Sequence, residues 1–397
     1  MNKENKHKTS FRTAEVVTLV LITCIVSLLM GIIISKPNQK QSYELADEEI
    51  QNFIEQYNYI VNNFYEEVDK KELLDAALEG MVESLGDPYS TYLDENSSFT
   101  FNATLNGSYE GIGVEITNDV SNNIIVTQVF EDTPAHKAGV KPLDIIVGIN
   151  NEPITNTTTS DFVQMVKDLD VPTFTLELKR NNETITVTVT REIVTLNSVA
   201  SEIINSNNKK IGYIYVSMFA MNTDTQFKKH LDELEKDNID SLIIDLRGNS
   251  GGHLTSVQNM MSMFLDKSKV IYQIENKGKT TKYYSSGTET KKYPIVVLVD
   301  EASASASEML TATLKESYGA TIVGKTTYGK GTVQELLDSN ENQYKITTKK
   351  WLTPNGNWIN EVGVKPDFEV DLDEKYLKEP TKENDTQLEK AIDVLTK

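Results

Sequence analysis

Hydrophobic positions change their period several times along the chain. Residues 16–34 (VVTLVLITCIVSLLMGIII) carry no charge and no proline for 19 residues. A helix of that length rises about 28 Å, close to the ~30 Å of a hydrocarbon core. After a polar stretch at 36–42, Ile50, Phe53, Ile54, Tyr57, Ile60, Val61 and Phe64 recur every three or four positions, the period of an amphipathic helix. Asp69 with Glu72 can cap a second helix, whose apolar face is Leu73, Leu74, Ala77, Leu78, Met81, Val82 and Leu85. It stops at Gly86-Asp87-Pro88.

From about Gly107 the pattern turns to short β runs at 113–117, 123–129, 144–149, 174–180 and 184–190, the last two joined by Asn181-Asn182-Glu183. Thr133-Pro134-Ala135 opens a short helix ending at Gly139, and 160–169 reads as another. From Lys210 strands (211–216, 241–246, 295–299, 322–323) alternate with helices (225–236, 254–265, 305–316). That order predicts a layered α/β core with largely parallel strands, whose reactive groups gather where strands feed into helices. Residues 385–395 form a last helix with Leu388, Ala391, Ile392 and Leu395 on one face.

The expected fold class is therefore α/β (α+β) and multidomain. Its parts are a cytoplasmic tail (1–14), a transmembrane helix (15–35), a linker (36–45) and a helical region (46–105). A β-rich module (106–193), an α/β core (194–375) and a C-terminal helix (376–397) follow.

Charge adds an orientation. Lys3, Lys6, Lys8 and Arg12 against Glu4 give the first residues a net +3. By the positive-inside rule the short tail stays cytoplasmic and everything after Ser35 is exported. A cleaved signal peptide would have a shorter apolar region and a small-x-small exit, so a retained anchor through 16–34 is expected.

The whole chain of 397 residues has 39 Lys+Arg against 59 Asp+Glu, a net −20, which argues against nucleic-acid binding. One cysteine, Cys24 in the apolar segment, excludes an internal disulfide and a Cys-rich zinc site. Four histidines leave little for a His-based metal centre. Chemistry is left to hydroxyls, carboxylates, amides and amines, with no metal or cofactor required.

Three loops can carry it. Asp245-Leu-Arg-Gly-Asn-Ser-Gly-Gly-His-Leu254 runs from an apolar strand through glycines into a helix. It is either a plain connector or a source of uncovered N–H groups for an oxyanion. In Asp300–Leu310, Ser305 with Glu308 fits a capping box, but Ser305 also suits a nucleophile beside the unused N–H of Ala306. Gly324–Gln334 nearly spells a phosphate loop, yet Gly331 stands where the magnesium-binding hydroxyl belongs, which rejects that reading. Lys330, Thr332 and Gln334 share a face if the segment is extended. Lys330 is then either a solvated surface lysine or a buried amine, neutral enough to take a proton from a serine. His253, with Asp245 ahead of it, is a weaker base candidate.

Together these loops resemble the carboxyl-terminal processing peptidases, serine endopeptidases with a Ser–Lys dyad. Gly86-Asp87-Pro88-Tyr89-Ser90 resembles the signature that closes their N-terminal helices. Gly111-Ile112-Gly113-Val114, Ala138-Gly139 and Asp144-Ile145-Ile146 resemble a PDZ module, placing a PDZ domain at 106–193. Asp245-Leu-Arg, Gly251-Gly252, Ser303–Glu308 and Gly329–Gln334 resemble the catalytic set, and Thr353-Pro354 and Gly363–Asp367 the end of the core.

The resemblance implies Ser305 as nucleophile, Lys330 as general base and Gln334 as orienting amide. It implies Gly251 and Ala306 as oxyanion donors and Gly111, Ile112, Gly113 and Val114 as the loop binding a substrate C-terminus. The implied partners are proteins or peptides with exposed C-termini, and the implied location is the outer side of a bacterial membrane. A homodimer, as in relatives that dimerise, and an unidentified regulatory partner stay open. Two departures stand out. Leu143 replaces a glycine usual before Asp144, and Lys167-Asp-Leu-Asp-Val-Pro172 replaces an Arg-Gly stretch that in some relatives links PDZ position to activity. The alternatives are an inert PDZ adaptor that binds tails, and a serine hydrolase using His253.

Overall fold

The computed structural model describes residues 48–339 and 342–397. The chain divides into two compact units, Met1–Leu74 and Asp75–Lys397. The expected membrane segment at 16–34, with its flanking tail and linker, lies outside the described residues. Among the described residues no helix is long and apolar enough to cross a membrane.

The first unit is described from α1 (Glu48–Asn63), none of whose residues is buried. Asp69 caps α2 (Lys70–Glu83), accepting the N–H of Lys71 at 2.8 Å and of Glu72 at 3.1 Å. α2 runs on into the second unit, where β1 (Thr91–Leu93) and α3 (Glu95–Asn106) follow. The sequence pattern did not reveal α3, because its ends rather than its face define it. Asp94 caps the N–H of Ser97 at 2.8 Å, and Gly107 closes the helix in the left-handed conformation.

Next come β2 (Ser108–Gly111), β3 (Val114–Asn118), β4 (Ile124–Val129), α4 (Pro134–Lys137), β5 (Ile145–Ile149) and β6 (Glu152–Pro153). α5 (Thr159–Lys167), β7 (Thr173–Arg180), β8 (Glu183–Thr190) and β9 (Glu192–Thr195) complete this module. β2 and β9 pair as a ribbon where the chain enters and leaves. The sheet between them runs β3-β4-β5-β7-β8, which puts β3 on an edge. The β7–β8 turn is Asn181-Asn182, both at positive φ, as a two-residue hairpin requires. Leu143 takes φ +71°, so the turn usually made by glycine is kept by a leucine.

The core contains β10 (Val199–Ser206), β11 (Lys209–Val216), α6 (Thr223–Lys236), β12 (Ser241–Asp245), α7 (Leu254–Ser262), β13 (Val270–Asn276) and β14 (Lys279–Tyr284). It continues with β15 (Ile295–Val299), α8 (Ala306–Thr313), β16 (Thr321–Gly324), β17 (Thr332–Ser339), β18 (Asn342–Leu352), β19 (Phe368–Glu369), α9 (Glu374–Lys378) and α10 (Thr386–Thr396). The main sheet is β10-β11-β12-β15-β16-β19, parallel except for the β10–β11 pair.

β12 and β15 are buried along their whole length, and alternation sends their side chains into two cores. Ile244 and Val297 meet Phe227, Met260 and Met309 from α6, α7 and α8. Ile243 and Val296 meet Leu388, Ala391 and Leu395 of α10. A second sheet, unforeseen from the sequence, gathers β1, β18, β13 and β14, with β17 hairpinned onto β18.

Candidate active site

β12, β15 and β16 are neighbouring parallel strands, and the three loops leave from their C-terminal ends. Ser305 makes the turn from β15 into α8 at φ +54° and ψ −110°. A non-glycine residue there is strained, and such strain is typical where a strand-to-helix turn must project a reactive side chain. The flanking serines are fully buried and engaged elsewhere: Ser303 Oγ donates to the Leu246 carbonyl at 2.9 Å and Ser307 Oγ to that of Asn249 at 2.7 Å. Of the three, Ser305 lines the cleft.

Glu308, on the first turn of α8, is fully buried. Its Oε2 accepts the main-chain N–H of Ser305 and that of Lys330, each at 2.8 Å. Its Oε1 accepts the Thr327 hydroxyl at 2.6 Å and the Gly329 N–H at 2.7 Å. The S-x-x-E spacing flagged this glutamate as a helix cap. Its reach across to the lysine loop was not legible locally.

The lysine loop is also held from the far side. Trp351 Nε1 donates to the Lys330 carbonyl at 2.7 Å, and Trp358 Nε1 to that of Gly331 at 2.8 Å. Lys330 Nζ sits 4.5 Å from the ring centroid of Tyr89, in the Gly86–Ser90 signature. Burial pushes the Lys330 pKa down to about 8; the charge of Lys345 adds to the fall, and Asp87 and Glu308 oppose it.

Ser305, Lys330, Gln334, Gly251 and His253 line one cleft of about 560 Å³. Gln334 Nε2 donates to the hydroxyls of Thr332 at 3.0 Å and Thr347 at 2.9 Å, which turns its Oε1 away from them. Ala306 is fully buried at the first position of α8, where the helix leaves an N–H unused.

Gly251 departs from expectation. Its N–H is donated to Asn249 Oδ1 at 2.9 Å, so in this conformation it is not offered to an oxyanion. What brings Gly251 here is size and backbone: at φ +107°, a Cβ would lie 2.7 Å from the Ala304 carbonyl oxygen and 2.9 Å from Ser305 Cβ.

His253 reaches the cleft, but Asp245 does not orient it. The Asp245 carboxylate is taken by the Arg247 guanidinium and, at 2.7 Å, by the Tyr213 hydroxyl. Burial lowers the His253 pKa against the opposite pull of Asp224, and its buried Nδ1 has no hydrogen-bond partner. A triad built on it lacks that carboxylate.

Comparison with known proteins fits this geometry. The model of peptidase family S41 matches residues 210–370, that of the PDZ domain residues 100–179, and that of the activating protease CtpB N-terminal domain residues 32–97. The chain is 35% identical over 356 residues to carboxy-terminal processing protease CtpB of Bacillus subtilis, covering 87% of this chain and 74% of that one. It is 33% identical over 368 residues to carboxy-terminal processing protease CtpA of the same organism, covering 91% and 78%. The chain belongs to the carboxy-terminal processing proteases of peptidase family S41. A solved Bacteroides fragilis structure assigned to the S41 proteases shares the fold, with a TM-score of 0.50, 18% identity and coverage of 81% of this chain and 90% of that one.

This S41 peptidase is thus a serine-type enzyme with a PDZ domain. In that domain Gly111 belongs to β2, paired with Glu192, so the turn itself is Ile112-Gly113 and Val114 opens the edge strand β3. Lys345 is the cleft residue that no sequence motif marked; for Glu308 and Tyr89 the motif was visible but the contact with the lysine loop was not. Lys345 comes from a segment remote from the three loops, so no local spacing marks it.

Proposed function

We propose that this peptidase cleaves exported proteins within or beside their C-terminal tails, with Ser305 as nucleophile and Lys330 as general base. The observation that carries the reading is that both residues line one cleft and hang from one carboxylate, while burial brings the Lys330 pKa to about 8.

In this reading neutral Lys330 Nζ takes the Ser305 proton as Oγ bonds to the peptide carbonyl carbon. The Ala306 N–H stabilises the resulting oxyanion. The C–N bond then breaks, the Lys330 proton leaves on the departing amine, and an acyl ester remains on Ser305. Water, deprotonated by Lys330, hydrolyses that ester. Gln334, clamped by Thr332 and Thr347, orients the lysine amine through Oε1.

The PDZ domain delivers the substrate. β3 is an edge strand beside the Ile112-Gly113 turn, which suits a C-terminal tail added as one more strand. Residues 16–34 anchor the chain in a bacterial membrane, with the catalytic part outside.

Cleavage of an unstructured tail peptide by wild type, Ser305→Ala and Lys330→Ala tests the dyad. Both variants are expected to bind the peptide and leave it intact. Full activity in Lys330→Ala with loss in His253→Ala would replace the mechanism by a histidine-based one. Binding without cleavage in wild type would make the protein an adaptor. Fractionation of cells expressing the full chain or residues 36–397 tests the anchor, with loss of membrane association expected in the shorter form.

A further inference from the structure

We propose that Lys345 is a specificity-determining residue that receives a carboxylate of the substrate in the catalytic cleft. The inference rests on the assignment of the Ser305 cleft as the cleavage site and adds what that cleft selects.

The chain carries a net charge of −20, yet among the described residues no Asp or Glu lines this cleft, and its ionisable side chains are Lys330, Lys345 and His253. The three do not contribute equally. Burial favours the neutral imidazole of His253. Lys330 acts in its uncharged form. Burial lowers the Lys345 pKa as well, against the pull of Asp87, but the proposed chemistry does not require its neutral form.

Its position suits recognition. Lys345 stands on β18 opposite Leu336 of β17, the next same-face pair after Thr347–Gln334. That places it about 7 Å along the hairpin from the amide that orients the base. Its Nζ lies 5.4 Å from the ring centroid of Phe101, which also lines the cleft. Among the described residues Lys345 makes no ion pair. Asp87, the carboxylate that acts on it from a distance, accepts the Ser90 hydroxyl at 2.5 Å.

A half-buried ammonium without a carboxylate in contact is poorly solvated and only partly compensated, so an incoming carboxylate gains more there than at an open surface. Leu105, Met218, Phe219, Leu254 and Leu336 supply the apolar wall around it. The substrate segment this favours is largely apolar with one carboxylate. That group is either an Asp or Glu side chain or the α-carboxylate of a tail cut close to its end.

The test is a peptide series with Glu or Gln at each position flanking the cleaved bond, each with a free or an amidated C-terminus. Wild type, Lys345→Met, Lys345→Arg and Lys345→Glu cleave the series, and the readout is the ratio of kcat/KM between paired peptides. Wild type is expected to prefer the carboxylate at one position by about tenfold, the scale of a charge-assisted hydrogen bond. Lys345→Arg keeps the ratio, Lys345→Met brings it to about one, and Lys345→Glu inverts it.

A side-chain source shows in the Glu/Gln ratio and an α-carboxylate source in the free/amidated ratio. An amidation penalty that persists in Lys345→Met belongs to the PDZ domain. Ratios identical in all four enzymes overturn the proposal, whatever happens to absolute rates or pH dependence. Continued cleavage by Ser305→Ala would instead overturn the assignment of the cleft, a separate failure.

Discussion

Ser305 and Lys330 donate their main-chain N–H groups to the same oxygen, Glu308 Oε2, each at 2.8 Å. The Ser305 turn and the lysine loop are thereby fixed relative to one another by a buried carboxylate rather than by a bond between their side chains. Glu308→Gln puts an amide N–H₂ where an acceptor is needed and leaves buried donors unpaired. The expected result is a kcat loss of about 100-fold or more with a small change in KM, and a stability loss of about 2–4 kcal/mol. Steady-state kinetics beside denaturant unfolding followed by circular dichroism measure both.

The pKa of about 8 for Lys330 fixes the direction of the pH dependence. In the proposed mechanism the base works unprotonated, so kcat/KM is expected to rise with pH and level off above about 8. Removing the neighbouring charge in Lys345→Met relieves repulsion of the ammonium form and shifts the rise to higher pH. Lys330→Arg stays protonated and is expected to be inactive throughout. A pH–rate profile flat across this range in wild type would contradict the lysine as base.

Gly251 packs directly on the Ser305 turn. In Gly251→Ala the new Cβ would stand 2.7 Å from the Ala304 carbonyl oxygen, and the backbone at φ +107° would be strained besides. The turn must move, so activity is expected to fall by about two orders of magnitude or more, with about 1–3 kcal/mol of stability lost. Melting temperature and peptide turnover, measured together, separate a displaced site from an unfolded one.

Leu143 gives a prediction of opposite sign. It holds φ +71° and is 81% exposed, so it bears backbone strain while burying little. Leu143→Gly is expected to stabilise the PDZ domain by about 0.5–1 kcal/mol. Slower hydrogen exchange at the β5 amides of the full chain is the measurement.

How much was readable in advance follows from where each signal resides. β15 is an unbroken apolar run, β12 has an apolar centre at Leu242–Ile244, and α10 shows its apolar face at helical spacing, so their sequences declare them. β14 (KTTKYY) is half-exposed or exposed throughout and offers no apolar alternation, and the second sheet went unseen with it. α7 was expected to run to Leu265 but ends at Ser262, because Phe264 and Leu265 are buried beyond the helix and prolonged the apolar pattern.

At the site, Ser305, Lys330 and Gln334 were legible as motif positions. The partners of Glu308 at Thr327, Gly329 and Lys330 are tertiary, as are Tyr89 and Lys345. The hydrogen bond that takes the Gly251 N–H depends on how the Asn249 side chain folds back, which no spacing encodes.

The two tryptophans of this chain, Trp351 and Trp358, have one further consequence. Both indoles grip consecutive carbonyls of the lysine loop, one ring fully buried and the other 44% exposed. The tryptophan fluorescence of the protein therefore originates beside Lys330, from a blue-emitting and a red-emitting probe side by side. A shift of that loop when substrate arrives will register in the emission spectrum of the unlabelled enzyme.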